Sequence, residues 1–336
     1  LLNIDELRMG AGTVRGLGRD LAGALVVTMP DAWALVKDDL AGSVRDVCFV
    51  DSVDRGSLDA AIAQHGGSAV IAGIGGGMAL DAAKYFSWRT ETPLVTIPTV
   101  ISTNAFATEA VGIREDAKVH YVGSVRSARC IIDFDLIAAS PRPLSLGGIC
   151  DVLSCHTGLW DWKHACDSGV SDHPWDAAAA RKARLLVEQV AEYAGEIRDV
   201  SFAGIKLVVD LCASTVEICQ PMGHFRAEEG SEHFLMYCLE SFTRRHYFHG
   251  PVVALGIDLM SRLQDNENQW ICSVIDACGL PRAPRASSVS HPELVRALRQ
   301  LSGFVTTEQL WFSVANGLKL TDADADAIAS KLEFAG

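Results

Sequence analysis

From Ala24 to Ile97 the chain alternates short apolar runs with amphipathic stretches. Ala24–Thr28 (ALVVT), Val47–Val50 (VCFV), Val70–Ile74 (VIAGI) and Leu94–Ile97 (LVTI) are apolar at almost every position. That is the signature of strands covered on both faces, as in a parallel sheet. Between them, Ala32–Leu40, Ser57–Gln64 and Met78–Trp88 place apolar residues at helical spacing. The order βαβα predicts a Rossmann-like α/β domain, a parallel sheet with helices on both faces. Val119–Val122 and Arg129–Ile132 read as an antiparallel addition at the rim of that sheet.

Beyond Pro141 and Pro143 the texture changes. Ala177–Ala194, Ile205–Ile218, Ser231–Thr243, Pro251–Leu263, His291–Leu301 and Thr307–Asn316 all have helical spacing, and β-runs are few. An all-α domain is therefore expected over 144–336, following an α/β domain over 1–143. A chain of 336 residues exceeds the size at which one core keeps growing, which fits two domains. Asp322–Asp326 (DADAD) lacks the glycine and terminal glutamate of a calcium loop and reads as a helix start.

Charge narrows the class of function. The formal net charge is −13, which argues against non-specific nucleic-acid or anionic-membrane binding. No apolar run approaches the roughly 20 residues of a spanning helix, and no signal peptide is expected. The 10 cysteines form no CxxC pair; they read as small buried hydrophobes in a reducing cytoplasm.

The segment Val70–Lys84, VIAGIGGGMALDAAK, carries the first candidate chemistry. A strand runs into Gly75, Gly76 and Gly77 and then directly into a helix. Glycine lets an anion approach the backbone, and the helix start offers unpaired N–H groups and a positive dipole end. This is a pyrophosphate cradle, although it fits neither G-x-G-x-x-G nor a Walker lysine motif. In the helical half, Asp151 lies near one helix start, His233 at the next and His249 just before a third. An Asp and two His suit zinc or another divalent ion with a position left open. Spacing alone does not select these three from 10 histidines.

Four stretches in order, GGGMALDAAK (75–84), PTVISTNAFAT (98–108), GGICDVLSCHTGLWDWKHA (147–165) and GSEH with FHGPVVALG (230–233, 248–256), resemble the iron-containing alcohol dehydrogenase and dehydroquinate synthase-like superfamily. Within it the likeness is to the sn-glycerol-1-phosphate dehydrogenases, carried by D-x-L-S-x-x-T-x-L-W-D-W-K. The resemblance implies that Gly75, Gly76 and Gly77 hold the pyrophosphate of NAD or NADP. Asp81 would line the nicotinamide side, and Thr99, Ser102 and Thr103 would form a second cofactor loop. It implies that Asp151, His233 and His249 bind one catalytic metal, usually zinc, with nickel or iron in some members. The implied reaction is reduction of a small ketone such as dihydroxyacetone phosphate, or oxidation of the matching polyol or cyclitol, by a cytoplasmic homo-oligomer. Proton supply would come from solvent at the metal, or from His246 or His224.

The chain makes three departures from the family pattern. Asn104 stands where an Asp commonly faces the substrate, so it is carried here as a substrate-orienting candidate. Pro251 replaces an acid after His249-Gly250, and Glu228-Glu229 precede Gly230 where small residues are usual. If those two acids border the substrate, they would repel a phosphate ester. Asp31 and Asp51 follow strands and are candidates for a ribose contact that would favour NAD. The competing enzyme class is a dehydroquinate-synthase-like cyclase using NAD transiently; it normally shows bases near both loops, and only Lys84 is present.

Overall fold

The computed structural model describes residues 2–40, 42–116 and 118–334. The chain forms two compact units, one of residues 1–146 with 200–209, the other of 147–199 with 210–336.

The first unit contains β1 (Ile4–Gly10), β2 (Leu25–Thr28), α1 (Pro30–Leu40), β3 (Asp46–Phe49), α2 (Arg55–His65), β4 (Ile71–Gly75), α3 (Gly77–Thr90) and β5 (Leu94–Pro98). It continues with β6 (Ala110–Glu115), β7 (Lys118–Ser124), β8 (Ser127–Asp133), α4 (Phe134–Ala139) and α5 (Arg142–Ser145). Among the described residues, six strands pair in the order β1-β8-β5-β4-β2-β3, every pair parallel. Strands β2, β4 and β5 are buried at each position, which is why they read as unbroken apolar runs. Successive residues point to opposite faces. Leu25 and Val27 therefore pack with Ala82, Tyr85 and Phe86 of α3, while Val26 packs with Val36 and Leu40 of α1.

Two strand expectations are corrected. β8 is not an antiparallel rim; it lies inside the sheet, parallel to both β1 and β5, and its residues from Cys130 to Asp133 are buried. The antiparallel partner of β7 is β6, in a separate two-stranded sheet. β1, IDELRMG, is an edge strand with exposed charged residues, so it lacks the apolar run of the buried strands.

The second unit is helical: α6 (Ile149–Leu153), α7 (Cys155–Asp167), α8 (Ala177–Glu192), α9 (Ala194–Arg198), α10 (Phe202–Cys219), α11 (Ser231–Thr243), α12 (His249–Leu263), α13 (Asn268–Ala277), α14 (His291–Thr307) and α15 (Asp322–Ala329). The start of α10 belongs with the first unit, where the Phe202 ring lies 5.5 Å from that of Phe134. The helix expected over Thr307–Asn316 does not form. α14 runs on to Thr307, Gln309 turns into the left-handed region (φ 53°), and a single tight turn follows at Val314–Gly317, capped by Ser313. Asp322 to Asp326 do open a helix, capped by Thr321. No described helix is long and apolar enough to cross a membrane.

Candidate active site

The glycine triplet lies at the carboxyl end of β4, beside β2, where the chain's path through the sheet reverses. Ligands bind at such switch points in open α/β sheets. Gly75 has φ 144°, a backbone state that side chains rarely adopt, and a Cβ there would stand 2.8 Å from Ala79 Cβ. At Gly76 and Gly77 the reason for glycine is a neighbouring loop. A Cβ on Gly76 would meet Val100 at 2.9 Å and Ser102 at 3.1 Å, and one on Gly77 would meet Thr103 Oγ1 at 2.9 Å. The Gly77 N–H donates to Ser102 Oγ at 3.3 Å, and the Thr99 N–H donates to the Gly75 carbonyl at 3.1 Å. The glycine loop and the loop 99–103 are thus one packed unit. Gly76, the N-cap of α3, has no side chain with which to cap the helix. The N–H groups of its first turn suit an anion such as a pyrophosphate.

Asp81 and Lys84 occupy one face of α3. The Lys84 ammonium is 1% exposed and donates to Asp81 at 3.2 Å, Thr108 at 3.1 Å and the Ala110 carbonyl at 3.2 Å. It staples α3 to β6. Gly112 of β6 leaves room for the Asp81 carboxylate, whose Oδ2 lies 3.4 Å from where a Cβ would be. Asn104 opens a single turn over Asn104–Phe106 that Thr103 caps by accepting the Ala105 N–H at 3.1 Å. Asn104 itself is half-buried, and its carbonyl accepts the Ala107 N–H at 2.8 Å.

In the second unit, Asp151 of α6, His233 of α11 and His249 of α12 converge. One ligand atom from each lies within 4.8 Å of the others. His249 Nε2 is 2.5 Å and His233 Nε2 3.6 Å from Asp151 Oδ1, with the two imidazoles 5.4 Å apart between centres. Glycines set this approach. A Cβ on Gly250 would stand 2.6 Å from Gly147 Cα, which brings the start of α12 onto the residues before α6. A Cβ on Gly256 would stand 2.6 Å from the Glu232 carbonyl oxygen, which brings α12 onto α11. A Cβ on Gly230 would stand 2.9 Å from Gly158 Cα, which brings the start of α11 onto α7.

Polar residues of the segment 151–163 and the buried Glu232 fix this arrangement. Gly230 cannot cap α11, so Asp161 of α7 accepts the Ser231 N–H at 2.8 Å and its hydroxyl at 2.6 Å. Glu232, fully buried, accepts His233 Nδ1–H at 2.8 Å and the Gly230 N–H at 2.7 Å on one oxygen, and the Thr157 hydroxyl at 2.7 Å on the other. The Ser154 hydroxyl lies 2.8 Å from the Asp151 carbonyl and 2.5 Å from that of Glu228. Ser154, Thr157 and Asp161 are the polar letters of D-x-L-S-x-x-T-x-L-W-D, and each ties α6 or α7 to the 228–232 segment. The signal in the sequence is this spacing, one such polar residue per helical turn.

The electrostatics suit a cation. Burial alone would raise the Asp151 carboxyl, but His249 and His233 beside it outweigh burial and hold it well below the usual range. Burial likewise works against a charged His233, yet its contacts with Asp151 and Glu232 raise it well above an ordinary imidazole. One ionised carboxylate and two imidazoles fit a divalent metal of the zinc, nickel or iron type, with room in its coordination for a further ligand. Burial, and then the charge of Asp151, push the Glu228 carboxyl well up; burial also raises Glu229, which accepts the Tyr237 hydroxyl at 2.8 Å. Both shifts act against the charged form, which weakens the expected repulsion of a phosphate ester. His246 pairs with Glu240 at 3.0 Å, whereas His224 is buried against Trp162 and stacks on His173 at 4.1 Å. The Trp162 ring of α7 lies 4.9 Å from that of Trp175, in the segment leading into α8.

The sequence profile of the iron-containing alcohol dehydrogenases matches residues 20–141. Glycerol-1-phosphate dehydrogenase (NAD(P)+) of Hyperthermus butylicus is 31% identical over 230 residues, 68% of this chain and 65% of that protein. The protein of the same name from Methanothrix thermoacetophila is 24% identical over 343 residues, 96% of this chain and 94% of that one. Among solved structures, a probable glycerol dehydrogenase from Sinorhizobium meliloti 1021 has the same fold, with TM-score 0.70 and 17% identity over 97% of this chain and 96% of that one. The chain spans about two thirds of the first of these relatives, and it belongs to the iron-containing alcohol dehydrogenase family.

Proposed function

We propose that the chain catalyses the metal-dependent, NAD(P)H-linked reduction of a small hydroxyketone to a polyol. Dihydroxyacetone phosphate to sn-glycerol 1-phosphate is the leading reaction, and a related polyol or cyclitol is the neighbouring case. The observation that carries this reading is the convergence of Asp151, His233 and His249. When bound, a divalent ion supplies Lewis acidity toward a carbonyl oxygen, and the nicotinamide supplies the hydride. Asp151, His233 and His249 would hold that ion, and zinc is the first choice for the donor set. Gly76, Gly77 and the first turn of α3 would receive the pyrophosphate, while Ser102 and Thr103, already packed on those glycines, keep the loop in one shape. Asn104 would orient a substrate hydroxyl by hydrogen bonding without adding charge.

Lys84 weighs against a sugar-phosphate cyclase, because its ammonium is sealed from solvent and occupied by three protein acceptors. The deciding experiment is a nicotinamide absorbance assay with NADH and NADPH on protein reconstituted with zinc or nickel. Cofactor oxidation with dihydroxyacetone phosphate, or with an unphosphorylated ketone from the same panel, supports the reading. Consumption of a sugar phosphate with no net change in cofactor absorbance would replace it with the cyclase.

A further inference from the structure

We propose that Glu232 is a positioning residue for the metal centre, fixing which nitrogen of His233 meets the ion. This rests on reading Asp151, His233 and His249 as metal ligands. An imidazole can coordinate through either nitrogen, and a neutral one carries a proton on the other. In this chain the choice is made by the protein. Nδ1 of His233 is 2.8 Å from Glu232 Oε1, while Nε2 faces Asp151. The carboxylate is itself held. Oε1 also accepts the Gly230 N–H at 2.7 Å, and Oε2 accepts the Thr157 hydroxyl at 2.7 Å. Both residues of the pair are enclosed, Glu232 at 0% and His233 at 5% exposure, so water cannot substitute for either contact.

Backbone packing fixes the carboxylate further. Gly256 of α12 lies against the Glu232 carbonyl and Cα, and Gly230 against its Oε2, with Cβ distances of 2.6, 2.9 and 3.1 Å. A carboxylate accepting the imidazole N–H opposite the coordinating nitrogen raises the ligand's basicity and locks its ring. Thr157, one turn before Asp161 on α7, is the outer member of this chain of contacts. A helix cap alone would need only the Gly230 N–H bond; the contact to Nδ1 is what makes Glu232 a partner of the metal ligand.

The test measures zinc and cobalt(II) affinity of the full chain by competition with a chelating dye, together with the visible spectrum of the cobalt(II) form. Glu232→Gln is expected to weaken metal affinity about 10- to 100-fold and to alter the cobalt spectrum. Thr157→Val, which removes one bond to the same carboxylate, is expected to change both in the same direction by less. If either variant folds and binds both metals with wild-type affinity and an unchanged cobalt spectrum, the positioning role is wrong; a drop in metal-free melting temperature alone would leave Glu232 as a helix cap. Should Glu232→Gln fail to fold, Thr157→Val decides by the same readouts. A wild-type protein that binds neither metal would instead overturn the reading of the three ligands.

Discussion

Gly250 and Gly147 touch backbone to backbone, with only 2.6 Å between Gly147 Cα and the place a Cβ on Gly250 would occupy. The contact joins the residue after His249 to the residues leading into Asp151. It has no flexible side chain that could yield. Gly250→Ala is therefore expected to destabilise the second unit by about 1–3 kcal/mol and to weaken metal binding. Gly303→Ala, in α14 with nothing within 4 Å of its Cβ position, is expected to be neutral or stabilising by up to about 1 kcal/mol. Chemical denaturation of both variants, beside a metal titration, checks the contrast.

Removing a ligand separates the two sites. Asp151→Asn and His249→Ala are each expected to abolish turnover and metal retention while nucleotide binding persists. The glycine loop and its packing partners belong to the other unit. Fluorescence titration with NADH, alongside metal analysis, reads both effects. Loss of nucleotide binding in either variant would show that the sites are not separable in this way.

Lys84 is a test of buried structure against catalysis. Lys84→Met is expected to lower stability by roughly 1–3 kcal/mol, because Asp81, Thr108 and the Ala110 carbonyl lose a buried donor. If Lys84 instead served a substrate phosphate, stability would hold and KM for the phosphorylated substrate alone would rise.

His224 predicts a pH dependence. Burial against Trp162 pushes its imidazole down to about 4, and His173 and Arg226 add to the shift. The folded state thus takes up a proton less readily than the unfolded chain, whose imidazole sits near 6.5. Stability from this group is full above about 6.5 and is lost as pH falls toward 4. His224→Gln should flatten the fall in stability across that window. Melting curves between pH 7 and about 4 measure it; an unchanged slope would show that His224 titrates normally.

The parallel sheet was legible because β2, β4 and β5 are buried on both faces and so leave apolar runs in the sequence. β1 and the place of β8 were not. β1 has the mixed pattern of an edge strand, and pairing order in a parallel sheet is set by long crossovers that local periodicity does not record. Asp151, His233 and His249 stand out only through the family resemblance, since a helix-start histidine looks the same whether it caps or coordinates. What brings them together lies in Gly147, Gly230, Gly250 and Gly256, whose importance depends on a partner backbone far along the chain. The glycine run in the sequence suggests room for a phosphate at Gly76 and Gly77. In the fold, their missing Cβ atoms make room for Val100, Ser102 and Thr103, and the phosphate argument passes to the uncapped start of α3.

We propose that nicotinamide-linked turnover runs through a metal held by Asp151, His233 and His249. The most direct measurement is NAD(P)H oxidation by the full chain with dihydroxyacetone phosphate and unphosphorylated ketones, before and after chelation and again after zinc or nickel is restored. Chelation is expected to remove the activity, and the metal to restore it in the wild-type chain but not in His249→Ala. Cofactor oxidation that survives both chelation and the His249→Ala substitution would contradict the proposal.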